Sequence, residues 1–361
     1  MTVGYESWGE INADHTNCIL LCTGLSSHSH AASSERNTNP GWWEKFIGPG
    51  KALDTNKFFV VCTNVLGSCY GTTGPSSINP ETGKHYATDF PAITVADMVK
   101  LQMRFLSEKF SIFSLHAAVG SSLGGMQSLA VAAEFGPERV GRVVSISACA
   151  QSHPTSIAIR YAQRRCIVTD PNWQHGHFYD TESYPSVGMK TARIMGTISY
   201  RSGPEWLKRF KNNRIDEDKH MGEPHGSGFG PDFMIEAYLS HQSESFATRY
   251  DPNSILYISK AMDMFDLGRG FGSLSEGLQR IKVPTLVLGV QSDILFPVFQ
   301  QKQIAQLLRE GGNKKVTYYE LDAIYGHDTF LLDVKNVGGA VKGHIEHNLS
   351  SAAEQYKASG C

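Results

Sequence analysis

Ala117-Ala-Val-Gly-Ser-Ser-Leu-Gly-Gly-Met-Gln127 decides the fold. Its first four residues are small, apolar and uncharged, as a buried strand requires. From Gly124 onward, residues 124–135 are small and helix-compatible, and predict a helix. The junction Gly120-Ser121-Ser122-Leu123-Gly124 matches G-x-S-x-G, and a strand running straight into a helix is the context that this motif needs. The turn must be tight enough to lift a serine oxygen above the sheet, and Gly120 and Gly124 allow backbone to approach where a Cβ would collide. Ser122 is therefore a candidate nucleophile. The plain alternative is an ordinary glycine-rich turn between strand and helix; the pentapeptide alone is weak, and its setting is what strengthens it.

The same alternation extends to both sides. Cys18–Cys22 and residues 58–64 are apolar runs bounded by Gly, Asn or Asp, the pattern of buried parallel strands. Residues 96–109 carry apolar side chains at loosely helical spacing, and residues 142–148 read as another strand. Strand and helix in alternation predict right-handed crossovers and a parallel sheet. Between about residues 151 and 275 the chain becomes richer in Arg, His, Tyr and Trp, with helical patterning and a polar stretch, residues 211–230, expected to be irregular. The strand pattern then returns at Thr285–Val290 and Val316–Leu321, with a helix near residues 300–310 between them. The expectation is an α/β core in two parts, residues 1–150 and 276–361, interrupted by a helical lid over residues 151–275.

Composition agrees with an enzyme-sized globular chain. Of 361 residues, 41% are hydrophobic and 35 are glycine, above the ~7% of an average chain. With 33 Lys+Arg against 35 Asp+Glu the formal net charge is -2, which provides no global field for nucleic acid or an anionic membrane. No apolar run reaches the roughly 18 residues needed to cross a bilayer. The seven cysteines are scattered in strand-like contexts, which favours reduced core thiols over a disulfide framework. The start at Val3-Gly-Tyr-Glu-Ser-Trp8 reads as the inside of a domain, so the expected compartment is the cytoplasm, or the mitochondrion if a targeting segment precedes it.

A serine nucleophile needs a base and an orienting acid, and this class of turn supplies them in the chain order Ser, Asp/Glu, His. Asp293 follows the strand Thr285–Val290, and His327 follows the strand Val316–Leu321 in Tyr325-Gly-His-Asp328. Both leave the carboxyl edge of the sheet, where reactive groups collect. The oxyanion hole is expected to use the amide of Leu123 and a second amide from Thr23-Gly24-Leu25, with Leu25 the candidate and Gly24 the alternative. His28-Ser-His30 and His175-Gly-His177 show no acidic or thiol partner at ligand spacing, so no metal is expected. Trp42-Trp43 reads as packing or pocket wall rather than as a ligand cage. Arg160, Arg164 and Arg165 read as a ridge on a lid helix, solvated or, less simply, meeting phosphates.

At this level of detail the chain resembles the homoserine O-acetyltransferase family, acyltransferases of α/β-hydrolase fold. The resemblance rests on Tyr5-Glu-Ser-Trp-Gly9, Gly41-Trp-Trp43, Ile47-Gly-Pro-Gly-Lys51, Asn64-Val-Leu-Gly67, Gly71-Thr-Thr-Gly-Pro-Ser76, Gly124-Gly-Met-Gln127, Ala192-Arg-Ile-Met-Gly196 and Tyr325-Gly-His-Asp328, in order over nearly the whole chain. Leu66-Gly-Ser-Cys69, Ser156-Ile-Ala-Ile-Arg160, Ile198-Ser-Tyr-Arg-Ser202 and the segment from Leu256 to Asp263 are similar to its serine O-acyltransferase branch. The chain begins later than most members, so an upstream strand is expected to be missing.

The resemblance implies that Arg193 holds the acceptor's carboxylate with Tyr200 nearby, and that Asp328 receives its ammonium. An arginine fork suits a carboxylate, and seven residues are two helical turns, which puts Tyr200 on the Arg193 face. The plain alternative for Arg193 is a salt bridge within the lid. The reaction implied is acyl transfer from acyl-CoA to the hydroxyl of L-serine through an acyl-Ser122 intermediate. Acetyl-CoA is the first choice of donor and succinyl-CoA the second, and no cofactor is tightly bound. L-homoserine is the alternative acceptor, and an ester hydrolase or an inactive binding protein of the same fold are the rival classes. The partners expected are the amino acid, acyl-CoA and a second copy in a homodimer.

Overall fold

A five-residue run such as Cys18–Cys22 buries every side chain only if both faces of its strand are covered. The computed structural model describes residues 1–215 and 230–347. Strands β1 (Tyr5–Trp8) and β2 (Cys18–Cys22) are followed by a separate short parallel pair, β3 (Ile47–Gly48) and β4 (Leu53–Asp54), and then by β5 (Phe59–Thr63). Helix α1 (Val95–Phe110) leads to β6 (Ala117–Ser121), α2 (Leu123–Phe135) and β7 (Val143–Ile146). The main sheet is completed by β8 (Thr285–Val290) and β9 (Val316–Leu321), in the order β1-β5-β2-β6-β7-β8-β9. β1 pairs antiparallel with β5; every other neighbouring pair is parallel.

Alternation along each strand divides the core into two faces. Cys18, Leu20 and Cys22 join Met98, Met103 and Leu106 of α1 and Met126 and Leu129 of α2 on one face. Ile19 and Leu21 join Trp43, Phe46 and later helical residues Val337, Val341 and Ile345 on the other. Helix α1 starts at a capping box, in which the Asp97 amide donates to Thr94 Oγ1 (3.2 Å) and the Thr94 amide donates to Asp97 Oδ2 (2.9 Å).

Between β7 and β8 run α3 (Pro154–Val168), α4 (Ser186–Tyr200), α5 (Gly203–Phe210), α6 (Met234–Ala247), α7 (Pro252–Asp263) and the short α8 (Leu274–Leu278). These helices have a small core of their own around Ile167, Met189, Ala192, Tyr250 and Ile255. Residues 216–229, most of the polar stretch expected to be irregular, lie outside the described residues. The expectation of an arginine ridge is corrected by the packing. Arg160 is only 2% exposed, its Nε sits 2.6 Å from Asp263, and Arg164 reaches the other oxygen at 2.5 Å. Packing of α3 on α7 turns two of the three arginines inward onto one carboxylate; Arg165 alone stays exposed.

After β8 come α9 (Phe299–Glu310), β9, the one-turn α10 (Thr329–Leu332) and α11 (Val334–Glu346). Among the described residues no helix is long and apolar enough to cross a membrane, and Cys18, Cys22, Cys62, Cys69, Cys149 and Cys166 are free thiols.

Candidate active site

The turn from β6 into α2 is built by close backbone contact. A Cβ on Gly120 would stand 2.2 Å from the carbonyl carbon of Gly124, and one on Gly124 would stand 2.2 Å from the Cys22 carbonyl oxygen. With both absent, β2, β6 and α2 converge and Ser122 takes φ 57°, ψ -126°. A non-glycine residue adopts such a conformation only when its surroundings impose it, and such strain concentrates at reactive sites. Here the Ser122 amide donates to Ile146 O (2.9 Å) and its carbonyl accepts from the Met126 amide (3.1 Å).

Asp293 and His327 leave the carboxyl ends of β8 and β9 and meet. Asp293 Oδ2 lies 2.7 Å from His327 Nδ1. The other oxygen, Oδ1, accepts from the amides of Leu295 (2.9 Å) and Phe296 (2.8 Å), so the carboxylate is fixed in direction. Phe296 stacks on the imidazole at 5.1 Å, and Phe330 meets it edge-on at 5.6 Å. Burial alone would lower the histidine's pKa; the Asp293 carboxylate outweighs it and holds the imidazole above its ordinary value. Nε2, the nitrogen turned away from Asp293, is buried and has no partner among the described residues. The arrangement leaves one ring nitrogen oriented and the other available to exchange a proton.

The two expected oxyanion amides have distinct supports. Leu123 is the first residue of α2, where amide hydrogens project from the helix end and the dipole favours negative charge. Leu25 stands after β2, beside the same turn, and its carbonyl accepts from the Tyr250 hydroxyl at 2.6 Å.

Among the helices between β7 and β8, the Arg193 guanidinium lies 5.3 Å over the Tyr200 ring and 4.5 Å over Phe246, and its Nε is buried without a partner. Tyr200 in turn lies 6.5 Å from the His327 ring. Arg193, Tyr200, His327 and Asp328 thus form one neighbourhood. Asp328 is not an isolated carboxylate. Arg201 Nε stands 3.2 Å from it, and the same guanidinium also reaches Glu205 at 3.1 Å. Burial pushes the Asp328 pKa up, and the Arg201 charge partly offsets that. Sequence reasoning missed Arg201; its adjacency to Tyr200 was the available signal, but its partner is remote in the chain.

The histidine pairs need one correction. His30 does have an acidic partner, since β1 brings Glu6 Oε2 to 2.9 Å from its Nδ1, while Nε2 faces Asn39 O at 2.8 Å. Among the described residues no group of three or more His, Cys, Asp or Glu is disposed to hold a metal ion. Trp43 is buried with its indole donating to Phe330 O (3.0 Å), and Trp42 donates to His28 O (2.8 Å).

Comparison with known proteins identifies the fold and the family. The alpha/beta hydrolase fold family matches residues 17–334. A serine O-succinyltransferase of Emericella nidulans is 47% identical over 95% of this chain and 77% of its own. A homoserine O-acetyltransferase of Moorella thermoacetica is 41% identical over 95% of this chain and 89% of its own. The crystal structure of homoserine O-acetyltransferase from Bacillus anthracis superposes with a TM-score of 0.86 at 30% identity, covering 96% of this chain and 92% of that one. The chain belongs to the α/β-hydrolase-fold acyltransferase family of the homoserine O-acetyltransferases, and it is an O-acyltransferase of amino-acid biosynthesis.

Proposed function

We propose that the enzyme transfers a succinyl group from succinyl-CoA to the hydroxyl of L-serine. From the sequence acetyl is the first choice; the relative at 47% identity carries serine and succinyl in its name, and that similarity favours succinyl. The structural observation that carries the acceptor side is the cation–carboxylate pair around His327. Arg193 offers an unpaired guanidinium edge and Asp328 a carboxylate, which are the two charges that a zwitterionic amino acid needs. An ester hydrolase needs neither.

In the first half-reaction Ser122 Oγ attacks the thioester carbonyl while its proton passes to His327 Nε2. The tetrahedral oxyanion forms against the amides of Leu123 and Leu25, and CoA leaves with the proton that His327 returns to sulfur. The amino acid then enters against Arg193, Tyr200 and Asp328. His327 takes the hydroxyl proton, the oxygen attacks the acyl-Ser122 carbonyl, and the serine oxygen is reprotonated as O-acyl product departs. Asp293 keeps the imidazole in the required tautomer and stabilises its charged form. Residues 151–275 act as the lid that excludes water during transfer, which separates transfer from hydrolysis. Free thiols at the described cysteines suit a reducing compartment such as the cytoplasm.

The test mixes enzyme with succinyl-CoA or acetyl-CoA and with L-serine or L-homoserine, and follows free CoA thiol. The expected result is release that depends on L-serine and is fastest with succinyl-CoA. Release that ignores the amino acid would replace transfer with hydrolysis. Ser122→Ala is expected to abolish release in every combination.

A further inference from the structure

The loop that follows β2 is held from two sides. From within the core, Gln127 Nε2 donates to Thr23 O at 2.8 Å and, more weakly, to Leu123 O at 3.3 Å. Gln127 is itself fixed by Gln102, whose Nε2 donates to its Oε1 at 2.8 Å, and both amides are buried in the apolar face shared by α1 and α2. From the lid, the Tyr250 hydroxyl donates to Leu25 O at 2.6 Å. Peptide units are planar, so each bond fixes a whole plane. The Thr23 carbonyl belongs to the plane that carries the Gly24 N–H, and the Leu25 carbonyl to the plane one step beyond the Leu25 N–H. The peptide that carries the Leu25 N–H lies between these two held planes.

Neither bond is explained by packing. Two fully buried glutamines in an apolar layer cost desolvation that only their hydrogen bonds offset, and the carbonyls they serve flank the reactive serine. Tyr250 is 3% exposed, and burial pushes its hydroxyl well above the ordinary tyrosine value, so it remains a donor. Its ring stacks on Phe246 at 5.3 Å, the same ring over which Arg193 sits at 4.5 Å. The side chain that reaches the oxyanion loop therefore belongs to the aromatic stack that seats the acceptor's arginine.

We propose that Tyr250 is a positioning residue for the oxyanion hole: through its bond to the Leu25 carbonyl the lid aims the Leu25 amide, with Gln127 holding the same loop from the core. This rests on the reading of Ser122 as nucleophile and of residues 23–25 as part of the oxyanion hole. It makes the lid a part of the acylation machinery and more than a cover, because the donor amide is fully aimed only when the lid is seated.

Tyr250→Phe removes one oxygen. Acylation is read as the burst of p-nitrophenol from p-nitrophenyl acetate, transfer as serine-dependent thiol release, and stability as Tm. The expected outcome is a fall of about 10-fold in burst rate and kcat, with the KM for serine within about twofold and Tm unchanged. Affinity for a trifluoromethyl ketone, which adds to the serine as an oxyanion, should fall by the same factor. A burst rate within twofold of wild type at unchanged Tm overturns the proposal. Ser122→Ala run alongside separates the two readings: a burst that survives it overturns the nucleophile and this proposal together, whereas its loss with a normal Tyr250→Phe burst overturns this proposal alone. If Tyr250→Phe lowers Tm, 3-fluorotyrosine at position 250 keeps the packing and strengthens the donor; the burst is then expected to quicken, and an unchanged burst overturns the proposal.

Discussion

Arg201 lies across Asp328, with Nε 3.2 Å from the carboxylate and the same guanidinium 3.1 Å from Glu205. The acid next to His327 is thus paired with a cation that it shares with Glu205. Burial alone pushes the Asp328 pKa up, and Arg201 is the foremost opposing influence. Arg201→Met removes that opposing charge, so the Asp328 pKa should climb further and the carboxyl should attract an ammonium less. The KM for L-serine is expected to rise about 10-fold at pH 7 and to fall back toward wild type between about pH 7 and about pH 8, below the range in which the ammonium of L-serine itself titrates, with kcat less affected. A KM profile across that range checks it; a rise independent of pH would make Arg201 a purely structural tie.

The Asp293–His327 contact fixes the sign of the pH response. The folded imidazole holds its proton above the ordinary value of 6.5 because of Asp293. On the proposed mechanism activity needs the neutral ring, so kcat/KM should rise with pH through a midpoint above 6.5. Stability runs the other way. The folded state binds this proton more tightly than the unfolded chain, so the contribution is fully present below about 6.5 and is lost as pH rises through the folded value. Asp293→Asn should lower the midpoint and reduce kcat by roughly 10⁴. Its Tm deficit against wild type should be larger at about pH 5.5 than at about pH 8.5.

Strands β2 and β8 were legible because burial on both faces leaves a continuous apolar run, in Cys18–Cys22 and Thr285–Val290, whereas the half-exposed β9 was legible from its β-branched and aromatic residues. The placement of Ser122, Asp293 and His327 beyond the carboxyl ends of β6, β8 and β9 was legible for the related reason that each follows its own strand. β1 was not, since Tyr5–Trp8 is mostly half-buried at the sheet edge. Helix α11 was hidden by Gly338, Gly339 and Gly343, poor helix formers that are carried by burial of Val337, Val341 and Ile345 four residues apart. Arg201 with Asp328, Glu6 with His30, Tyr250 with Leu25 and Arg160 with Asp263 were out of reach for one physical cause. Each joins residues far apart in the chain, and only the packed fold sets their distance.

The Asp263 carboxylate between Arg160 and Arg164 ties α3 to α7. Asp263→Asn keeps the shape and removes the charge, which leaves the buried Arg160 guanidinium uncompensated. Breaking a buried pair in this way costs about 3–5 kcal/mol. Urea denaturation followed by circular dichroism should show that loss, with the midpoint shifted and the slope kept. A loss below about 1 kcal/mol would mean that solvent reaches the pair and that α3 is held to α7 by other contacts.

On the proposed mechanism, Arg193 separates the two half-reactions. Its guanidinium rests 4.5 Å over Phe246 and 5.3 Å over Tyr200, and no carboxylate of the described residues forms an ion pair with it. Lysine keeps the charge but loses the planar stack and the two-pronged edge that a carboxylate matches. Arg193→Lys is expected to raise the KM for L-serine by about 100-fold while the p-nitrophenyl acetate burst stays within about twofold, because acylation precedes acceptor binding. Burst and steady-state kinetics on one preparation test this. If the burst holds but acylation by succinyl-CoA falls far more than acylation by acetyl-CoA, then Arg193 serves the acyl carboxylate instead, and the acceptor's own carboxylate must be held by another cation.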